Sequence, residues 1–211
     1  MIELQTAHTA DLDSGMRSAV RRLLDEVFGG ISDDTFDNAL GGVHTLVIEE
    51  GELVGHGSVV QRRVLHAGRA LRTGYVEGVA VRGDRRRRGH GAAMMSALER
   101  VVRSAYQLGA LGASIEGGRL YASRGWQLWQ GPSSAFTPEG IRRTADKDGH
   151  IYVLPVSVPV DLAGELVCDW RPGALWLPLS TSVPPAPVLR GTGCRGRTAC
   201  RSRVSWPLGP R

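Results

Sequence analysis

The sequence predicts an α+β fold in which a central mixed, mostly antiparallel sheet is flanked by helices. Three observations carry that expectation. Residues 43–81 hold three apolar, β-branched runs separated by two short turns, the pattern of an antiparallel meander. A Gly- and Arg-rich turn follows, and from Gly91 the apolar positions Met94, Met95, Leu98, Val101, Val102 and Ala105 recur at helical spacing. The chain has 211 residues, 42% apolar and 22% charged, which suits one globular domain with a sizeable core.

Residues 4–9 read as a first strand. Residues 11–14, Asp-Leu-Asp-Ser, supply capping side chains for a helix whose apolar positions are Met16, Val20, Leu23, Leu24, Val27 and Phe28. Gly29-Gly30 ends it. Residues 31–42 form a polar connector with Asp33, Asp34 and Asp37, in which Phe36 and Leu40 anchor a short helical turn. Strands follow at 43–49 and 53–65 around Glu50-Gly51, with a turn at 66–69 and a third strand at 70–81. Gly78 interrupts that strand, as a bulge or close backbone approach does. After the helix to about Gln107 come a strand at 110–115, a short helix at 118–124 and a strand from Trp126. Residues 132–149 read as loop, and 151–158 as a strand that Pro155 places at an edge or a bulge.

From Leu177 the pattern stops. Residues 177–211 are Pro- and Arg-rich without periodicity and read as a disordered tail, so 1–176 is the domain. The tail holds six arginines and no acid. Of 26 basic residues, 20 therefore remain in residues 1–176 against 21 acidic ones, a net of −1. The basic character belongs to the tail, which argues against a nucleic-acid-binding body. No apolar run is long enough to span a bilayer, and no membrane contact is expected. No signal-peptide pattern opens the chain, and the three cysteines give no disulfide framework, which together suit the cytoplasm. His8, His44, His56, His66 and His150 have no metal spacing, so no metal is expected.

A Gly-rich turn that opens a helix gathers unpaired N–H groups at the positive end of the helix dipole, a site suited to phosphate. The turn here is Arg86-Arg87-Arg88-Gly89-His90-Gly91. It resembles the Arg/Gln-x-x-Gly-x-Gly/Ala pyrophosphate loop of the GCN5-related N-acetyltransferases. Four further blocks resemble the aminoglycoside 2′-N-acetyltransferases within that superfamily. They are Gly74-Tyr-Val-Glu-Gly-Val-Ala-Val-Arg82, Ala105-Tyr-Gln-Leu-Gly-Ala-Leu111, Arg119-Leu-Tyr-Ala-Ser-Arg-Gly-Trp126 and Cys168-Asp-Trp-Arg171. The similarity runs from about His8 to Trp176.

The resemblance implies the acetyltransferase fold and transfer of an acetyl group from acetyl-CoA to the 2′-amino group of an aminoglycoside, conferring resistance. An acetyltransferase for another amine, such as a polyamine, cell-envelope amino sugar or protein lysine, is the alternative of the same class, and a basic nucleic-acid binder that of another. Acetyl-CoA is the implied co-substrate, with residues Arg86, Arg87, Arg88, Gly89, His90 and Gly91 at its pyrophosphate and Val79, Ala80 and Val81 along its pantetheine arm. Glu77 is the implied base for the acceptor amine and Tyr121 the implied acid for the departing thiolate. Glu77, Gly78, Asp33, Asp34, Asp146 and Trp176 are the expected substrate contacts, and a homodimer is expected. The chain departs from the family at Gly30, at Lys147 and at Gly112-Ala113, and Trp176 is followed by Leu177, so its carboxylate is an amide.

Overall fold

The structure, a computed structural model, describes residues 2–173; Trp176 and the tail at 177–211 lie outside the described residues. In chain order the elements are β1 (Ile2–His8), α1 (Ser14–Phe28), α2 (Asp33–Asn38), β2 (Val43–Glu49), β3 (Glu52–His66), β4 (Arg69–Val81), α3 (His90–Ala105), β5 (Leu108–Gly112), α4 (Ile115–Ala122), β6 (Gln127–Leu128), β7 (Ser133–Thr137), β8 (Gly140–Arg143), β9 (Ile151–Pro155) and β10 (Leu166–Cys168). The strands form one sheet in the order β6-β9-β5-β4-β3-β10-β7-β8, with β2 also pairing β3 and β1 pairing β2. All pairs are antiparallel except β4–β5 and β10–β7.

Helices cover both faces because the strands alternate. Leu46 packs with Val20, Leu23 and Leu24 of α1, and its neighbour Val47 packs with Met94 of α3. Each such fully buried aliphatic side chain contributes about 2 kcal/mol. Asp13 accepts the Met16 N–H at 2.7 Å to start α1, and Gly29, at φ 75°, ends it. Past the middle of α3, buried Glu99 accepts from Arg124 Nε at 2.7 Å and from Trp126 Nε1 at 3.0 Å. That clamp seats the chain after α4 on α3.

Two features open the sheet. β4 and β5 pair only over Thr73–Tyr75 and Leu108–Ala110, so among the described residues the rest of β4 has no strand on that side. Farther along, His56 and Ser58 of β3 sit opposite Ala80 and Glu77, so two steps on β3 match three on β4. This is the bulge expected at Gly78, whose φ is 58°.

The sequence expectations need several corrections. The strand at 110–115 is Leu108–Gly112, because Ser114 caps a helix by accepting the Gly117 N–H at 3.2 Å. The short helix is therefore Ile115–Ala122, which starts and ends earlier than 118–124. Residues 132–149 are not all loop: they contain β7 and β8. Ser133 and Ser134 are buried there, and hydrogen bonds from Ser133 to Asp148 at 2.9 Å and from Ser134 to Glu165 at 2.7 Å replace the apolar signal. The three-residue β10 is a strand too short to show a period. Pro155 ends β9, and the next two N–H groups both reach the Gln107 carbonyl, at 3.1 and 3.2 Å, which is the bulge alternative rather than the edge. Among the described residues no helix is long and apolar enough to cross a membrane.

Candidate active site

The turn between β4 and α3 is shaped by its backbone. Arg87 has φ 64° and Gly89 has φ 86°, and Gly89 caps α3 without a side-chain bond. Successive residues of opposite hand turn their N–H groups outward into a concavity for an anion. Within the described residues, the N–H groups of residues 87–92 have no backbone acceptor; the first paired one is Ala93, on Gly89 O at 3.0 Å. A Cβ built at Gly89 would meet nothing within 4 Å, and one at Gly91 would meet only Leu120 at 3.5 Å. The described residues leave this space empty. It fits the pyrophosphate of a CoA thioester.

The arginines around the turn are partly committed. Arg85 pairs with Glu49 at 2.9 Å, and Arg88 reaches the same carboxylate at 3.4 Å. Arg86 Nε donates to the Val81 carbonyl at 3.3 Å. His90 is 5% exposed and its Nε2 lies 3.9 Å from Glu49, so its side chain turns inward while its N–H stays at the helix start. Arg87 is exposed. Glu49 was not singled out in the sequence, where it reads as an ordinary strand-end acid.

Glu77 stands beside the bulge and is 3% exposed, and its Oε2 has no hydrogen-bond partner among the described residues. Burial pushes its pKa up to about 7; the Arg62 and Arg171 guanidiniums pull it back and Asp169 adds to the rise. Such a carboxyl is poised between its two forms near neutral pH. Val79, Ala80 and Val81 continue β4 past the last residue paired with β5, with Val79 and Val81 half-buried and Ala80 packed toward α1.

A second wall meets Glu77 from α2 and the segment after β10. Ser58, opposite Glu77, donates to the Ala39 carbonyl at the end of α2 at 2.9 Å. Asn38 donates to Pro172 O at 2.8 Å, and Arg171 to Gln61 O at 2.9 Å. Buried Arg62 binds Asp169 at 2.6 Å and lies over the Tyr75 ring at 4.7 Å. A Cβ at Gly173 would sit 3.1 Å from the Asp34 Cβ, so the chain crosses the start of α2 there. Arg62, invisible as a site residue in the sequence, is the post that holds this segment.

The candidate acids differ. Asp33 pairs with Arg21 at 2.7 Å, which offsets its charge. Asp34 and Asp37 are exposed on α2. Asp146 lies on a separate loop, where Lys147 reaches it at 3.1 Å. Tyr121 is buried on α4, its ring centroid 6.2 Å from Trp126 and 6.1 Å from Tyr152. Burial pushes its phenol up to about 12, so it stays protonated at neutral pH. It shares an apolar cluster with Val76, next to Glu77. The described residues contain no group of three or more His, Cys, Asp or Glu arranged to hold a metal.

β4 and β5 thus pair over three residues, a bulge follows at Gly78, and α3 opens on unpaired N–H groups, an arrangement suited to an acyl-CoA ligand. The family model described as an acetyltransferase (GNAT) domain matches residues 11–129. An aminoglycoside 2′-N-acetyltransferase of Mycolicibacterium fortuitum is 48% identical over 174 residues, covering 80% of this chain and 89% of that one. The chain belongs to the aminoglycoside 2′-N-acetyltransferase family, within the GNAT acetyltransferases. Two solved structures share the fold. The Escherichia coli GNAT protein YhbS, in complex with CoA, has a TM-score of 0.54 at 15% identity over 79% of this chain and 88% of that one. A Brucella melitensis GNAT acetyltransferase, in complex with acetyl-CoA, has a TM-score of 0.52 at 14% identity over 79% and 94%. Some neighbours are longer: the chain spans 33% of Eis1 from Mycobacterium abscessus.

Proposed function

We propose that the protein transfers the acetyl group of acetyl-CoA to the 2′-amino group of aminoglycosides. The observation that carries this is Glu77: a buried carboxyl with an unpaired oxygen, held between the open edge of β4 and the acid-bearing α2. Acetyl-CoA supplies an activated acyl group. The N–H groups of residues 87–92 hold its pyrophosphate, with exposed Arg86, Arg87 and Arg88 adding charge. The free edge at Val79, Ala80 and Val81 pairs with the pantetheine amides as a sheet pairs with an added strand.

Glu77 takes the proton of the acceptor ammonium, through water, and does so only when ionised. Tyr121 holds the proton that the leaving sulfur needs. Asp34 and Asp37 give the mouth of the cleft negative charge for a polycation, with Asp33 and Asp146 contributing less because Arg21 and Lys147 offset them. Trp176 lies outside the described residues. The protein acts in the cytoplasm, as a homodimer, without a metal.

The test incubates purified protein with acetyl-CoA and paired aminoglycosides with and without a 2′-amino group. Release of CoA thiol only with the 2′-amines, and product acetylated at that nitrogen by NMR, is the expected result. Acetylation at another amine would overturn the regiochemistry.

A further inference from the structure

Two histidines that the sequence left without a role form one line of hydrogen bonds ending on the bulge. His56 Nδ1 lies 2.9 Å from the Gly78 carbonyl oxygen, and His56 Nε2 lies 2.9 Å from His44 Nδ1. His44 Nε2 lies 2.7 Å from the Thr9 hydroxyl, which accepts the Gly41 and Gly42 N–H groups at 2.8 and 3.1 Å. Both rings are fully buried. Burial lowers His44 to about 4, helped by His8, and lowers His56 to about 3, helped by His44, so both are neutral near pH 7.

A neutral imidazole donates from one nitrogen and accepts at the other. The Gly78 carbonyl only accepts, so His56 carries its hydrogen on Nδ1 and accepts at Nε2. His44 then donates from Nδ1, and its Nε2 accepts the one Thr9 hydroxyl hydrogen at 2.7 Å, in place of the Gly42 carbonyl, which lies farther from that hydroxyl at 3.2 Å. Every link points toward the bulge.

We infer that His56, oriented by His44 and Thr9, is a positioning residue for acyl transfer: it fixes and polarises the Gly78–Val79 peptide so that the Val79 N–H is presented to the thioester oxygen. The peptide is trans, and a trans peptide sends its N–H opposite to its C=O. The Gly78 carbonyl turns toward the His56 ring, so the Val79 N–H points away from that ring and, on this inference, is presented on the side where β4 has no described strand. Gly78 and Val79 fall in the register shift, outside the paired positions of β3 and β4, so the imidazole supplies a restraint the ladder does not. A carbonyl that accepts a hydrogen bond makes the N–H of its own peptide a stronger donor, by roughly 10–30% per bond. A donor held in place before the reaction costs no reorganisation during it. The inference rests on the acyl-transfer reading above.

The test uses the full chain. With ¹⁵N-labelled histidine, NMR of the free protein near neutral pH should show His44 and His56 both neutral and protonated on Nδ1; an Nε2–H form of either overturns the proposal. In His56→Leu, kcat should fall about tenfold while the KM for acetyl-CoA moves less than about twofold, since the phosphate turn is untouched. The carbonyl stretch of bound ¹³C-carbonyl acetyl-CoA should shift back toward its free value. His56→Gln, which keeps a donor and an acceptor, should recover most of the kcat. Thr9→Val, at the half-exposed end, should lower kcat by about threefold and carries the kinetic test if His56→Leu does not fold. Folded variants that lose only thermal stability, with kcat and stretch unchanged, would show that the pair merely fills the core. Failure of the acyl-transfer reading would look different: wild-type protein without acetyl-CoA binding or turnover.

Discussion

At the α3 end of the cleft, the groups aimed at a ligand are backbone N–H groups, fixed by φ values of 64° at Arg87 and 86° at Gly89. At the α2 end they are carboxylates on exposed side chains, Asp33 and Asp34 among them, one already taken by Arg21. On the proposed reading, the first end binds a feature every CoA thioester shares, and the second faces the acceptor. A backbone site tolerates side-chain drift and resists change in turn chemistry. A side-chain site retunes by single substitutions and by the neighbours that neutralise them. Glu77, between the two, is on that reading the group that serves the reaction itself.

The largest expected effect lies at that boundary. Glu77→Gln should lower kcat by about 10²–10⁴-fold, the range of a lost general base, with acetyl-CoA affinity measured by calorimetry nearly unchanged. Wild-type kcat should climb as pH rises through about 7, because burial raises the carboxyl and only its ionised form accepts a proton. The same shift has a stability consequence. The folded state binds the Glu77 proton more tightly than the unfolded chain, so this group's contribution falls as pH rises from about 4.5 to about 7. In the Gln variant both the kinetic limb and that part of the melting profile should disappear.

Next in size is a change confined to the backbone end. Gly89→Val forces a β-branched residue toward φ 86° and should raise the acetyl-CoA KM by about tenfold or more, leaving the aminoglycoside KM alone. Equal effects on both would erase the division between the ends. Asp34→Asn should do the reverse, raising the aminoglycoside KM by about threefold, in a salt-sensitive way, with acetyl-CoA binding intact. Asp33→Asn should be the smallest change, within about twofold, because Arg21 already screens that charge and the pair is at the surface.

The same division decides how much was legible in the sequence. The phosphate turn, the bulge and the helix after it are local: Gly78, Gly89 and the Met94–Leu98–Val102 spacing announce themselves within a few residues. The family resemblance marked Glu77 and Tyr121. The wall around Glu77 was hidden, because it joins Asn38 to Pro172 and Arg62 to Asp169 across more than a hundred residues. β7 was hidden because buried serines satisfied by Asp148 and Glu165 look like loop. The histidine line was hidden for a third reason: His56 meets Gly78 only through the register shift between β3 and β4, which no spacing records.

The early parting of β4 and β5 has a consequence for the folded chain itself. Among the described residues, no strand pairs with the β5 side of central β4 from Val76 onward, an arrangement that sheets elsewhere cover or pair. On the reading above, acetyl-CoA completes it, and a molecule that binds only the native state adds about 2.7 kcal/mol of stability at a hundredfold excess over its Kd. The melting temperature should therefore rise with acetyl-CoA concentration, and the survival of this protein in a cell would follow the supply of activated acetate.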